Sequence, residues 1–185
     1  DAGNDTTVDI LAATLLIDAG AAAVGASGAN GSIDTALTTL TSANGSNVFL
    51  NEVGGAVAIG TITATTAVEL RANGAITDAG NDAVADITAS TLVIDAGASA
   101  IGATGANGSL DTALTTLTSA NGSDVFLNEV AGGVAVGTIT ATTAVELRAA
   151  GAITDLGDDA VADITAATLV IDAGASAIGA TGANG

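Results

Sequence analysis

The chain has 185 residues, nearly half of them apolar, and 20 acidic side chains against two basic ones give a formal net charge of −18. It has no Cys, His, Pro, Met, Trp, Tyr or Lys, which excludes disulfides, thiolate or imidazole metal sites, and histidine- or thiol-based catalysis. So acidic an exterior repels nucleic acid and anionic headgroups, while the aliphatic content is too high for disorder, so a core of small side chains is expected.

In chain order the first observation is a repeat. The run Asp1-Ala2-Gly3-Asn4-Asp5 returns at Asp78-Ala79-Gly80-Asn81-Asp82 and again, altered, at Asp155-Leu156-Gly157-Asp158-Asp159. Residues 1–77 and 78–154 share 62 of 77 positions. The organisation expected is one continuous solenoid: unit 1 over 1–77, unit 2 over 78–154, and a partial third unit over 155–185. Both ends read as cuts through a longer array, with no signal peptide in view. The longest apolar stretch, Leu11 to Val24, is interrupted by Asp18 and Gly20 and falls short of the roughly 18 residues of a membrane span, so no membrane insertion is expected.

Within unit 2 the predicted elements are short β segments. Ile87–Ala89, Leu92–Asp95 and Ala100–Gly102 come first, then Leu117–Ser119, Val125–Asn128 and Val134–Gly137, then Ile139–Ala141, Val145–Arg148 and Ala152–Thr154. Alternation in Val145-Glu146-Leu147-Arg148 puts Val and Leu on one face and Glu and Arg on the other. Ala-Asn-Gly at 106–108 and 120–122 predicts tight turns. Helical spacing is sustained nowhere for a dozen residues. The fold class expected is all-β, a parallel β-helix of about three coils per 77-residue repeat. That is about 26 residues per coil, with four coils of about 19 as the alternative, and a coil spacing of about 4.8 Å.

Substitutions between units sort the faces. Val24/Ile101/Ile178, Ile33/Leu110, Ile59/Val136 and Leu16/Val93/Val170 stay aliphatic and are expected to point inward. Asn47/Asp124 stays small and polar and is expected outward. Glu52/Glu129 and Glu69/Glu146 are read as outward strand positions, Glu69–Arg71 and Glu146–Arg148 as exposed ion pairs, and Phe49 and Phe126 as core.

The segments Gly108-Ser109-Leu110-Asp111-Thr112-Ala113-Leu114, Leu117-Thr118, Val125-Phe126-Leu127-Asn128-Glu129, Val136-Gly137-Thr138-Ile139-Thr140 and Val145 to Ile153 resemble the giant bacterial surface exoproteins and adhesins with filamentous-haemagglutinin-like repeats. The resemblance spans the whole chain and is one of repeat style. It implies a parallel β-helix, secretion through the outer membrane, an extracellular or cell-surface location and a rod or fibre form.

Three kinds of site were weighed. The acidic turn Asp78, Asn81, Asp82, Asp86 and its counterpart Asp155, Asp158, Asp159, Asp163 could supply oxygens to calcium, although the spacing fits neither an EF-hand nor the glycine-rich nonapeptide. A solvated turn is the reading preferred, and no other cofactor is expected. Asn4, Asn30, Asn44, Asn107 and Asn121 each open an N-glycosylation triplet, yet Asn-Gly is also what turns select. A catalytic carboxylate pair is disfavoured because nearly every acid has a twin one unit away. The function expected is a structural scaffold whose rods self-associate into filaments. The alternative is an adhesin whose repeated faces bind glycans or another cell.

Overall fold

A computed structural model describes residues 3, 5–105, 107–157 and 159–179. Its twelve strands are β1 (Ile10–Leu11), β2 (Thr14–Asp18), β3 (Ile33–Ala36), β4 (Thr39–Glu52), β5 (Val57–Ala72), β6 (Ile76–Asp78), β7 (Ile87–Asp95), β8 (Leu110–Glu129), β9 (Val134–Ala149), β10 (Ile153–Asp155), β11 (Ile164–Thr165) and β12 (Thr168–Asp172). They form one sheet, and every strand pairing among the described residues is parallel. Each segment pairs with the segment that follows it one coil later, the connectivity of a parallel β-helix. No described residue is helical, as expected of a chain rich in Val, Ile and Thr with Gly at its corners.

The coil length is not uniform. Asp9 and Asp34 are 25 residues apart on neighbouring coils, Asp18 and Asn44 26, Asp34 and Asn51 17, and Ser46 and Thr65 19. One inward ladder runs Ile33, Leu50, Leu70, Ile94, Ala120, Ile139, Ile164. Its six steps cover the 131 residues between positions 33 and 164, or about 22 per coil. A second runs Ile17, Ala43, Ile62, Ile87, Thr112. Ile94, Ala120, Ile139 and Ile164 are the 77-residue equivalents of Ile17, Ala43, Ile62 and Ile87. Equivalent residues of successive units therefore stand on different ladders.

Several expectations need correction. The segments predicted at 117–119 and 125–128 are both parts of the 20-residue β8, which takes its corner through a register shift between Gly122 and Asp124. Ala120-Asn121-Gly122 is accordingly strand and no turn. Parallel neighbours on both sides satisfy its backbone, and Asn121 Nδ2 donates to Asp95 Oδ1 at 2.8 Å. Gly108 does close a turn, donating to the Gly105 carbonyl at 3.0 Å.

Leu16, Val93 and Val170 point outward, Leu16 being 69% and Val170 53% exposed. Strict alternation along β2 and β7 makes Leu15, Ile17, Leu92 and Ile94 the inward residues and turns Leu16 and Val93 outward, while the extra residues Thr41 and Thr118 bulge the partner strands β4 and β8. Val24, Ile101, Leu110, Ile59 and Val136 are buried as expected, whereas Ile178, on the last described coil, is exposed. Phe49 and Phe126 lie outside the aliphatic core, on the outer side of β4 and β8 in register with Glu69 and Glu146. Phe126 is buried because the loop after Ile101 crosses it. That crossing demands glycine: Gly102 has φ +67°, and a Cβ there would lie 2.4 Å from the Phe126 carbonyl oxygen.

Candidate functional site

The outer face carries columns of polar side chains built by the coil register. Asp34 stands above Asn51, Asn51 beside Arg71, Arg71 beside Asp95, and Asp95 beside Asn121. Asn51 Nδ2 donates to Asp34 Oδ1 and Asn128 Nδ2 to Asp111 Oδ1, both at 2.6 Å. Asn44 Nδ2 donates to Asp18 Oδ1 at 2.8 Å. The Gly20 N–H and the Asn44 amide together hold the Asp18 carboxyl below its usual range.

Glu52 and Glu129, expected outward, are 1% exposed. Each stands at a coil corner and gathers donors that the turn leaves open. Glu129 accepts from Thr112 Oγ1 at 3.0 Å and from the N–H groups of Leu114 (2.8 Å) and Ala131 (3.1 Å). Glu52 does the same with Thr35 Oγ1, Leu37 and Gly54. Burial raises both carboxyls above the ordinary glutamate range, and the hydrogen bonds only partly offset it.

Both arginines pair within their own strand, Arg71 with Glu69 and Arg148 with Glu146. The pairs are less open than expected, the Glu side chains being 11% and 12% exposed. Glu69 also accepts the Gly28 N–H at 3.1 Å, tying the loop after β2 down over the sheet.

Both acidic turns are held by Asp side chains that accept local backbone N–H groups. Asp78 Oδ1 accepts the Gly80 N–H at 2.5 Å and Oδ2 the Asp82 N–H at 3.1 Å, so loop 79–85 wraps around one carboxylate. Asn81 lies in this loop at φ +49°, a conformation Asn tolerates. Asp86, directly before β7, accepts the Asp111 N–H from the next coil at 2.9 Å. Carboxylate oxygens of Asp78, Asp86 and Asp111 lie within 4.8 Å of one another, and all three residues are buried. Burial pushes the Asp86 carboxyl up to about 8 against the Asp111 backbone hydrogen bond, with the charges of Asp78 and Asp111 adding to the rise. Asp111 is raised too, first by burial, against its bond from Asn128, with the charges of Asp78 and Asp82 adding.

Of the sequence-derived metal residues, Asp78 thus belongs to the cluster and Asp82 does not. Asp82 is exposed, and its Oδ1 accepts the Val84 N–H of its own turn at 2.7 Å. Asp155 and Asp159 repeat the turn of Asp78 and Asp82, with Asp155 accepting from Gly157 (2.5 Å) and Asp159 (3.0 Å). Asp163 repeats Asp86, and burial, then Asp155 and Asp159, raise its carboxyl. Asp158 lies outside the described residues. Sequence reasoning missed Asp111, 25 residues beyond Asp86 and one coil away. The signal available was the same separation between Asp9 and Asp34 in unit 1.

The glycosylation triplets divide in two. At Asn30 and Asn107 the Asn is exposed, but the following Ser32 and Ser109 are fully buried and donate to Gly28 O and Gly105 O at 3.0 Å. At Asn44 and Asn121 the side-chain amide is held by Asp18 and Asp95. Asn4 lies outside the described residues. Comparison with protein-family models, curated proteins and solved structures found no match for this chain.

Proposed function

We propose that this chain is a stretch of an extracellular, cell-surface rod, a β-solenoid built from 77-residue units of three and a half coils each. The observation that carries the reading is the ladder from Ile33 to Ile164, aliphatic at every step and uninterrupted by an inserted domain or a change of pairing direction. Continuous pairing along one axis gives a stiff module whose length scales with unit number. The net charge of −18 keeps neighbouring rods soluble and apart at low salt. An open edge of a parallel β-helix templates further strand pairing, which supports self-association of such rods end to end into filaments. The resemblance to haemagglutinin-like surface repeats supports the location and the mechanical role. No catalytic part is assigned to the paired acids, whose near-identical twins recur from unit to unit.

Adhesion is the second reading, favoured by one observation. Thr61, Thr63 and Thr65 project outward from β5, with Thr88 and Ser90 beside them on β7, an open hydroxyl-bearing face that suits glycan contact. Solution scattering on tandem arrays of two, four and six units tests the rod. Each added unit should lengthen the particle by about 17 Å at constant cross-section, from three and a half coils at about 4.8 Å. Growth in all dimensions would sink it.

A further inference from the structure

We propose that Asp78, Asp86 and Asp111 bind a hard divalent cation of the calcium class, clamped between one acidic turn and the strand of the next coil. Oxygens within 4.8 Å of one another can all reach a single ion through bonds of about 2.3–2.6 Å. Acid clustering alone would not carry the assignment. The deciding atom is Asp111 Oδ2: Asp111 is wholly buried, its Oδ1 is taken by Asn128, and Oδ2 has no hydrogen-bond partner. A buried carboxylate oxygen left without a donor is rare and calls for a ligand.

Charge points the same way. Backbone N–H groups and one Asn amide donate to the three carboxylates and orient without neutralising them, while Asp86 and Asp78 also share a carboxyl–carboxyl hydrogen bond that leaves the cluster without a cationic partner. The chain has two basic side chains, and both are paired with Glu69 and Glu146. An all-oxygen donor set without His or Cys selects calcium, magnesium or manganese over zinc or copper. Three bulky carboxylates on two coils suit the irregular, larger shell of calcium better than magnesium's tight octahedron, with water and carbonyl oxygens completing it.

Two of the three positions recur among the described residues. In unit 1 Asp9 accepts the Asp34 N–H at 3.0 Å, Asp34 Oδ1 is held by Asn51, and the fully buried Asp34 Oδ2 again has no partner. The 77-residue equivalent of Asp78 there is Asp1, outside the described residues.

The test is calorimetric unfolding of the 185-residue chain at pH 7.5 in EDTA, in calcium and in magnesium. Calcium at a hundredfold its dissociation constant should raise Tm by roughly 5–10 °C. Asp111→Asn should remove part of that rise and the double variant Asp34→Asn/Asp111→Asn nearly all of it, while Asp95→Asn keeps it. Should Asp111→Asn not fold, Asp86→Asn replaces it. Directly excited europium luminescence on the wild type then gives an independent reading, with a lifetime longer than that of the aqua ion as waters are displaced. Equal shifts from calcium and magnesium, or an undiminished calcium shift in the double variant, would show screening of a diffuse acidic surface and overturn the site. No calcium shift at all would leave the three carboxyls sharing protons, which overturns it equally.

Discussion

Glu129 is an acid held where its charge is unwelcome, and Glu52 is its twin one unit earlier. Their folded-state carboxyls are raised, so the folded chain holds these protons more tightly than the unfolded one. The contribution is complete below the ordinary glutamate range and fades as pH rises through the raised values. Asp86, Asp111 and Asp163 shift in the same direction. In metal-free buffer the urea midpoint should therefore fall from about pH 4.3 towards pH 8, opposite to ordinary acid denaturation. Glu52→Gln/Glu129→Gln should flatten that slope, although each amide also loses an acceptor and costs about 1–3 kcal/mol. An unchanged slope would locate the effect elsewhere. Gly102 is the other sensitive residue. Gly102→Ala places a Cβ at positive φ against a carbonyl and should cost about 2–4 kcal/mol in chemical denaturation, with Gly20→Ala, also at positive φ but in open space, costing about 1–2 kcal/mol.

Among the elements, β7 lies at the centre of the sheet, between β5 and β8, and contributes Leu92 and Ile94 to the core. Ile94→Ala should destabilise by about 2–4 kcal/mol, whereas Leu169→Ala in β12, half exposed, should stay within about 1 kcal/mol. Guanidinium unfolding of the two variants side by side tests whether β7 anchors the sheet. Strand character and core identity were legible in the sequence at this scale, because Val145-Glu146-Leu147-Arg148 alternates cleanly and burial follows it. Corners were less so. Asn-Gly at 121–122 carries a turn composition yet lies in strand, because neighbouring coils satisfy its backbone. Val93 looked inward because it stays aliphatic, but it stands between the buried Leu92 and Ile94 and alternation turns it outward. The acidic cluster was half legible: Asp78 and Asp86 sit in one turn, while Asp111 arrives through coil register, which local spacing does not encode. Glu52 and Glu129 look like ordinary exposed strand acids until the corner donors around them are placed.

At the scale of the molecule, the proposed rod gains about 17 Å per unit and turns as it grows, because equivalent ladders do not coincide. A chain without cysteine accepts paired labels cleanly. Spin labels on Thr65→Cys and Thr142→Cys, exposed equivalents one unit apart, should lie farther apart than the axial rise alone, since they occupy different ladders. A distance equal to the rise would place them on one face. The half coil has an arithmetic consequence for the evolution and engineering of such arrays. In the proposed array parity, more than length, then sets orientation. On the proposed three-and-a-half-coil unit, losing or gaining one unit would turn everything beyond it to about the opposite side of the rod, while changes in twos would nearly preserve its heading. A distal module carried on this scaffold would thus face outward or backward according to whether the number of units before it is odd or even.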